Sequence, residues 1–191
     1  MSPFDFIILF LSFIYVIALT HLLFAWTRMI RYRRKLAFSW PHLLWTLVAV
    51  GYLSANWLSL WDFHTEGELK LGTIAAGFLF VIMNYFVCAL VSPDFESGET
   101  FDMKEFHERE GPTYIGATLA LIVTAVIGNY LAGAALGVDN WSDENALVVA
   151  TIILPVLALT IKRAWVQIAA PAMLLATTVA YDSIYYARLA P

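Results

Sequence analysis

His21 and His42 are the residues best suited to chemistry, because each sets an ionisable ring inside a long apolar run. Imidazole titrates near neutral pH and is a common metal ligand. Ionisable groups at depth in a membrane are costly, so they are read as functional by default. If the two runs are adjacent antiparallel helices, a rise of about 1.5 Å per residue puts the rings roughly one turn apart in depth. A pair so placed could form a pH-sensitive switch or a proton relay. It could ligate a metal, although two ligands are too few for a structural zinc site. It could also hold a b-type haem between helices. The plainer alternative gives each ring a backbone carbonyl or a lipid headgroup as partner.

Asn56, Asn84 and Asn129 are the amides expected to be buried. Asn84 lies at a depth similar to that of His21, and a polar path for protons or small ions would use His21, His42 and Asn84. The competing role is structural, since hydrogen bonds between membrane helices average only about 0.6 kcal/mol. Asp62 and Asp182 fall at helix ends, where solvation at the interface accounts for them. Asp5 suits the positive end of the first helix dipole. Glu105, His107, Glu108 and Glu110 have the chemistry of metal ligands, but the string HERE is not the HExxH motif, and a solvated charged face is expected. Cys88 is the single cysteine and is expected to be a packing residue. Phosphate loops, dinucleotide fingerprints, nucleophile elbows and zincin motifs are absent, as are voltage-sensor arginine ladders and potassium-filter signatures. An enzyme is therefore not expected.

Composition decides which elements carry these residues. Hydrophobic residues make up 61% of the 191 and charged residues 14%, against roughly 45–50% and 25% in soluble domains. Mean hydropathy is +0.73. Such a chain suits a bilayer as its apolar solvent. The expected architecture is an all-α, polytopic transmembrane bundle forming a single domain over residues 1–191. About six spanning helices are expected, near residues 4–26, 40–61, 71–91, 114–136, 145–161 and 165–186. In lipid the backbone must satisfy its own hydrogen bonds, so such runs are helices. The fifth is short and contains Pro155, the sixth contains Pro171, and the two could instead form a tight, partly re-entrant hairpin. The start lacks a positive region and a clear cleavage site, so the first run is expected to be retained as a helix.

Arg28, Arg31, Arg33, Arg34 and Lys35 follow the first run, and Lys162 and Arg163 follow the fifth. The positive-inside rule makes both connections cytoplasmic and both termini non-cytoplasmic. The acidic connections with Asp62, His64, Glu66, Glu68 and Lys70, and with Asp139, Asp143 and Glu144, then lie outside. Trp26, Trp40 and Trp165 fall at inner helix ends, and Trp57, Trp61 and Trp141 at outer ends, as an aromatic belt requires. Residues 92–113 form a cytoplasmic acidic loop. Within it Thr100 to Glu110 could make a short helix, capped by Thr100 or Asp102, stopped at Gly111-Pro112, and docked by Phe101 and Phe106. A three-plus-three inverted repeat is compatible with the helix count, but the halves share no residue pattern.

Gly116, Ala120, Thr124, Gly128 and Ala132 recur every four residues and form one stripe. Small residues allow the close backbone approach on which helix pairing in lipid depends. Gly133 and Gly137 add a second small pair, and Gly72 with Ala76 another. The stripe suits a contact within the chain, with a second copy, or with another membrane protein. A net charge of −4 offers no footprint for nucleic acid.

The segments FDFI…ALTHLLFAWTRMIR, FSWPHLLWTLVAVGYLSANWLSLWDF and LVSPDFES…TFDMKEFHERE resemble a loosely defined group of small bacterial polytopic membrane proteins with no assigned activity. The resemblance implies a multi-pass protein of the bacterial inner membrane and implies no mechanism. Three functions follow as expectations. One is a non-catalytic accessory or scaffolding subunit that associates with itself or a partner. Another is a small homo-oligomeric proton or ion channel or transporter, and the last is a membrane haem protein.

Overall fold

The computed structural model describes residues 3–63, 71–94, 100–136 and 141–186. The expectations for His64, Glu66, Glu68, Lys70, Gly137 and Asp139 fall outside these residues. So do those for the side chains of Asp62, Ala132, Gly133, Trp141, Asp143 and Glu144.

The helices are α1 (Pro3–Arg31), α2 (Trp40–Ser59), α3 (Leu71–Val91), α4 (Met103–Leu136), α5 (Trp141–Thr151), α6 (Ile153–Thr160) and α7 (Ala164–Tyr185). Among the described residues, four helices are long and apolar enough to cross a membrane: α1, α3, α4 and α7. The 20-residue α2 and the α5–α6 segment are not among them. Phe6, Phe13, Phe24, Ile127, Leu131 and Met173 point outward and are more than half exposed. Trp40 and Trp165 are exposed at one end of the bundle, and Trp57 and Trp61 at the other.

α3 is sandwiched between α1 and α4, while α2 packs mainly on α7. Leu22, Trp45, Val81, Ile115, Ile122 and Leu174 fill the core between them. Two short strands, β1 (Leu36–Ala37) and β2 (Phe101–Asp102), pair in parallel and join the first connection to the third. Arg28 Nη1 also donates to Asp94 Oδ1 at 2.7 Å. The connection between α6 and α7 reaches the same end through Gln167, so three connections meet there.

Two expected boundaries change. The acidic loop ends at Asp102, whose Oδ1 accepts the N–H groups of Lys104 at 2.7 Å and Glu105 at 3.3 Å. From this cap α4 continues through Gly111-Pro112, where the sequence suggested a stop. Proline removes one backbone donor and crowds the carbonyl four residues back. Packing offsets that cost, because Phe106 and His107 are buried against the bundle. The expected fifth helix is divided at Ile152. The Pro155 ring faces the carbonyl of Thr151, which is where α5 ends.

Candidate functional site

The two histidines have different neighbours. His21 is exposed on α1, with Nε2 at 3.4 Å from the Tyr85 hydroxyl of α3. That length is beyond the usual hydrogen-bond range. His42 is 2% exposed and donates from Nε2 to the Val91 carbonyl at 2.9 Å. Its ring packs edge-on to Phe106 and Tyr114, at 5.4 and 6.3 Å between centroids. Val91 thus occupies one His42 nitrogen, and Asn84 has a partner of its own on α2.

A polar knot seals the connection end. Gln167 donates from Nε2 to the carbonyls of Ala158 at 2.7 Å and Ile161 at 2.9 Å. Its Oε1 accepts from His107 Nε2 at 3.1 Å. With that proton on Nε2, the neutral ring accepts at Nδ1 from the Tyr114 hydroxyl, seven residues on. Gly111 lies against this ring, where a Cβ would stand in ordinary contact at 3.4 Å from His107 Nδ1. The acidic string does not act as one solvated face. His107 turns inward, whereas Glu105 and Glu108 stay exposed. Glu108 lies 3.8 Å from Lys104, and Glu110 accepts from Arg109 at 2.9 Å. No group of three or more His, Cys, Asp or Glu is placed to hold a metal among the described residues.

The opposite half of the bundle contains a half-open chamber of about 110 Å³ between α2, α3, α4, α5 and α7, lined by both polar and apolar side chains. Tyr52, Asn56, Ser59, Asn129, Thr151 and Thr178 contribute its polar wall. Asn56 Nδ2 donates to Asn84 Oδ1 at 2.9 Å, and Asn84 Nδ2 donates to the Phe80 carbonyl at 3.2 Å. Asn129, expected to be buried, is exposed on α4, and its Nδ2 donates to Asn145 Oδ1 at 2.8 Å. The Tyr52 hydroxyl is hydrogen-bonded to Thr151 and Thr178. Every described lining residue is uncharged. Of this wall only Asn56 and Asn129 stand out in the sequence. Tyr52 and the threonines do not, because hydroxyls are common in membrane helices. A lone glutamine in an apolar run, Gln167, carried a signal of the same kind as the asparagines.

Beside the chamber runs an apolar groove of about 540 Å³ between α1, α3 and α4. Gly72, Ala76, Gly77 and Gly128 keep it open. The small-residue stripe of α4 is not packed tightly at its glycines, since a Cβ at Gly116 or Gly128 would meet nothing within 4 Å. Ser59, Phe80, Ala125 and Asn129 line both the groove and the chamber. No family model, curated protein or solved structure matches the chain.

Proposed function

We propose that the chain is a six-crossing, multi-pass protein of the bacterial inner membrane with both termini non-cytoplasmic. It acts as a non-catalytic accessory subunit that holds a small neutral, hydrogen-bonding group in its interior. The cationic connections after α1 and α6 put the connection end on the cytoplasmic side, and the chamber then lies in the outer half. In this reading α2 and the α5–α6 segment cross within the shelter of their neighbours.

The observation that carries the reading is the chamber in the half of the bundle away from the knot. The polar groups of the wall bond to one another and to their own helices, yet a space stays open beside them, which close packing in a bundle serving only as a scaffold would fill. A volume of about 110 Å³ has room for a few waters or for a group somewhat smaller than the benzene that an engineered cavity of about 150 Å³ accepts. The packed His42, Phe106, Tyr114, His107 and Gln167 favour binding from one side over conduction through the bundle.

Thiol labelling tests this. A cysteine at Thr177, on the chamber wall, should react with a small neutral methanethiosulfonate added outside sealed cells. A cysteine at Thr118, buried beside the knot, should react from neither side. The natural Cys88 is fully buried and gives a low background. Failure of the Thr177 position to react from outside, or reaction of Thr118 from inside, removes the reading.

Self-association has a separate support. Gly116 faces open space and lies outside the groove lining, so a second copy or partner helix has room to approach α4 there.

A further inference from the structure

We infer that the chamber takes the head of a single-tailed, neutral amphiphile whose tail lies in the groove between α1, α3 and α4, an inference that rests on the binding reading above. Ser59, Phe80, Ala125 and Asn129 line both spaces, so the two adjoin. One is small, and hydroxyl and amide groups stand among the apolar side chains of its wall. The other is about five times larger, at 540 against 110 Å³, and its wall is mostly aliphatic and aromatic. Adjoining polar and apolar compartments of unequal size match a molecule with a compact hydrogen-bonding head and a long tail.

The charge of the head follows from the wall. Among the described residues, no Lys, Arg, Asp or Glu lines either space. An ionised head would lose its hydration without a counter-charge, which costs far more than hydrogen bonds return. A head bearing hydroxyl groups would exchange water for the lone pairs that the Ser, Thr and Tyr oxygens keep after their internal bonds. The glycines of α3 and α4 also gain a role. Gly72 and Gly128 face open space rather than a neighbouring helix, so they leave width for a tail.

The test uses the full chain, purified in detergent, with 1-oleoylglycerol as probe and native mass spectrometry as readout. One molecule should be retained per chain. An oleoyl lysophosphatidylglycerol, with the same tail and an anionic head, and octadecene, with no head, should each be retained about tenfold less, the ratio that 1.4 kcal/mol gives. Gly128→Leu should fill the groove and lower retention by about the same factor without shifting the melting point of the unliganded protein. Gly72→Leu serves the same purpose if the first variant fails to fold. Ser59→Ala with Thr177→Val should abolish discrimination between heads while leaving the tail bound.

Equal retention of the anionic lipid, or full retention in a folded groove variant, overturns the inference. If Thr177 labels from outside while 1-oleoylglycerol is not retained, the amphiphile is wrong and the chamber reading stands. If neither occurs, both fall.

Discussion

His107 on α4 and Gln167 on α7 are joined at 3.1 Å, and through this bond the start of one long helix is tied to the turn that precedes the other. Gln167 spends both amide protons on the carbonyls of Ala158 and Ile161. The side chain therefore closes the α6–α7 connection and anchors it to α4. Gln167→Leu keeps the volume but orphans two carbonyls and the His107 Nε2–H. Each buried orphan costs about 1–3 kcal/mol, so a loss of about 2 kcal/mol or more is expected in an unfolding titration in mixed micelles. Gln167→Glu should not rescue it, because an ionised carboxylate has no N–H to donate. A melting curve for Gln167→Leu that overlays wild type would show the knot to be incidental.

Asn56 and Asn84 allow a sharper measurement, because each single change leaves a buried amide without its partner. Asn56→Leu and Asn84→Leu are each expected to destabilise by about 1–3 kcal/mol. The double variant should cost less than their sum, with a coupling near the 0.6 kcal/mol average for membrane hydrogen bonds. Additive costs would mean that the two amides do not meet.

How much of this was legible depends on where each side chain finds its partner. The sequence placed α3 at Leu71–Val91, as observed, because an unbroken apolar run has polar residues at both ends. The first turns of α4 were hidden. KEFHERE followed by Gly-Pro looks like a surface helix with a stop, and only the long-range contacts of Phe106 and His107 carry it on. The chamber was largely hidden for another reason. Thr177 and Thr178 bond to the carbonyls of Met173 and Leu174 in their own helix. Hydroxyls that satisfy themselves locally give no sign that they need a neighbour or line a cavity. The asparagines and glutamine cannot do this fully, which is why Asn56 and Asn84 stood out.

The link between Arg28 and Asp94 makes a prediction about topology rather than stability. The Asp94 side chain is 96% exposed, and exposed ion pairs contribute about 0–1 kcal/mol. Asp94→Ala should therefore shift stability by less than about 0.5 kcal/mol. The positions should nonetheless share a side. Cysteines at Arg33 and Asp94 should both react with a membrane-impermeant maleimide in inverted vesicles, and neither in intact cells. Opposite labelling of the two would contradict the joined connections, and labelling of both from outside would reverse the proposed orientation.

His21 and His42 give the last prediction, because their surroundings separate roles that the sequence left together. His21 is exposed and meets Tyr85 through a long polar contact and an edge-on ring contact, so His21→Ala should stay within about 0.5 kcal/mol of wild type, as surface changes do. His42 is almost fully buried, bonded to Val91 and packed against Phe106. His42→Ala leaves a cavity and removes a donor, and a loss of about 2–4 kcal/mol is expected. A proton relay or haem site built on both rings predicts a different pattern, since either substitution should then abolish the same activity. Proton flux in liposomes and absorption near the haem Soret region read that pattern directly. A flux or band lost equally in the two variants would restore the paired site. Wild-type stability in His21→Ala together with instability in His42→Ala, and no common functional loss, would leave His42 as a packing residue of the sealed end.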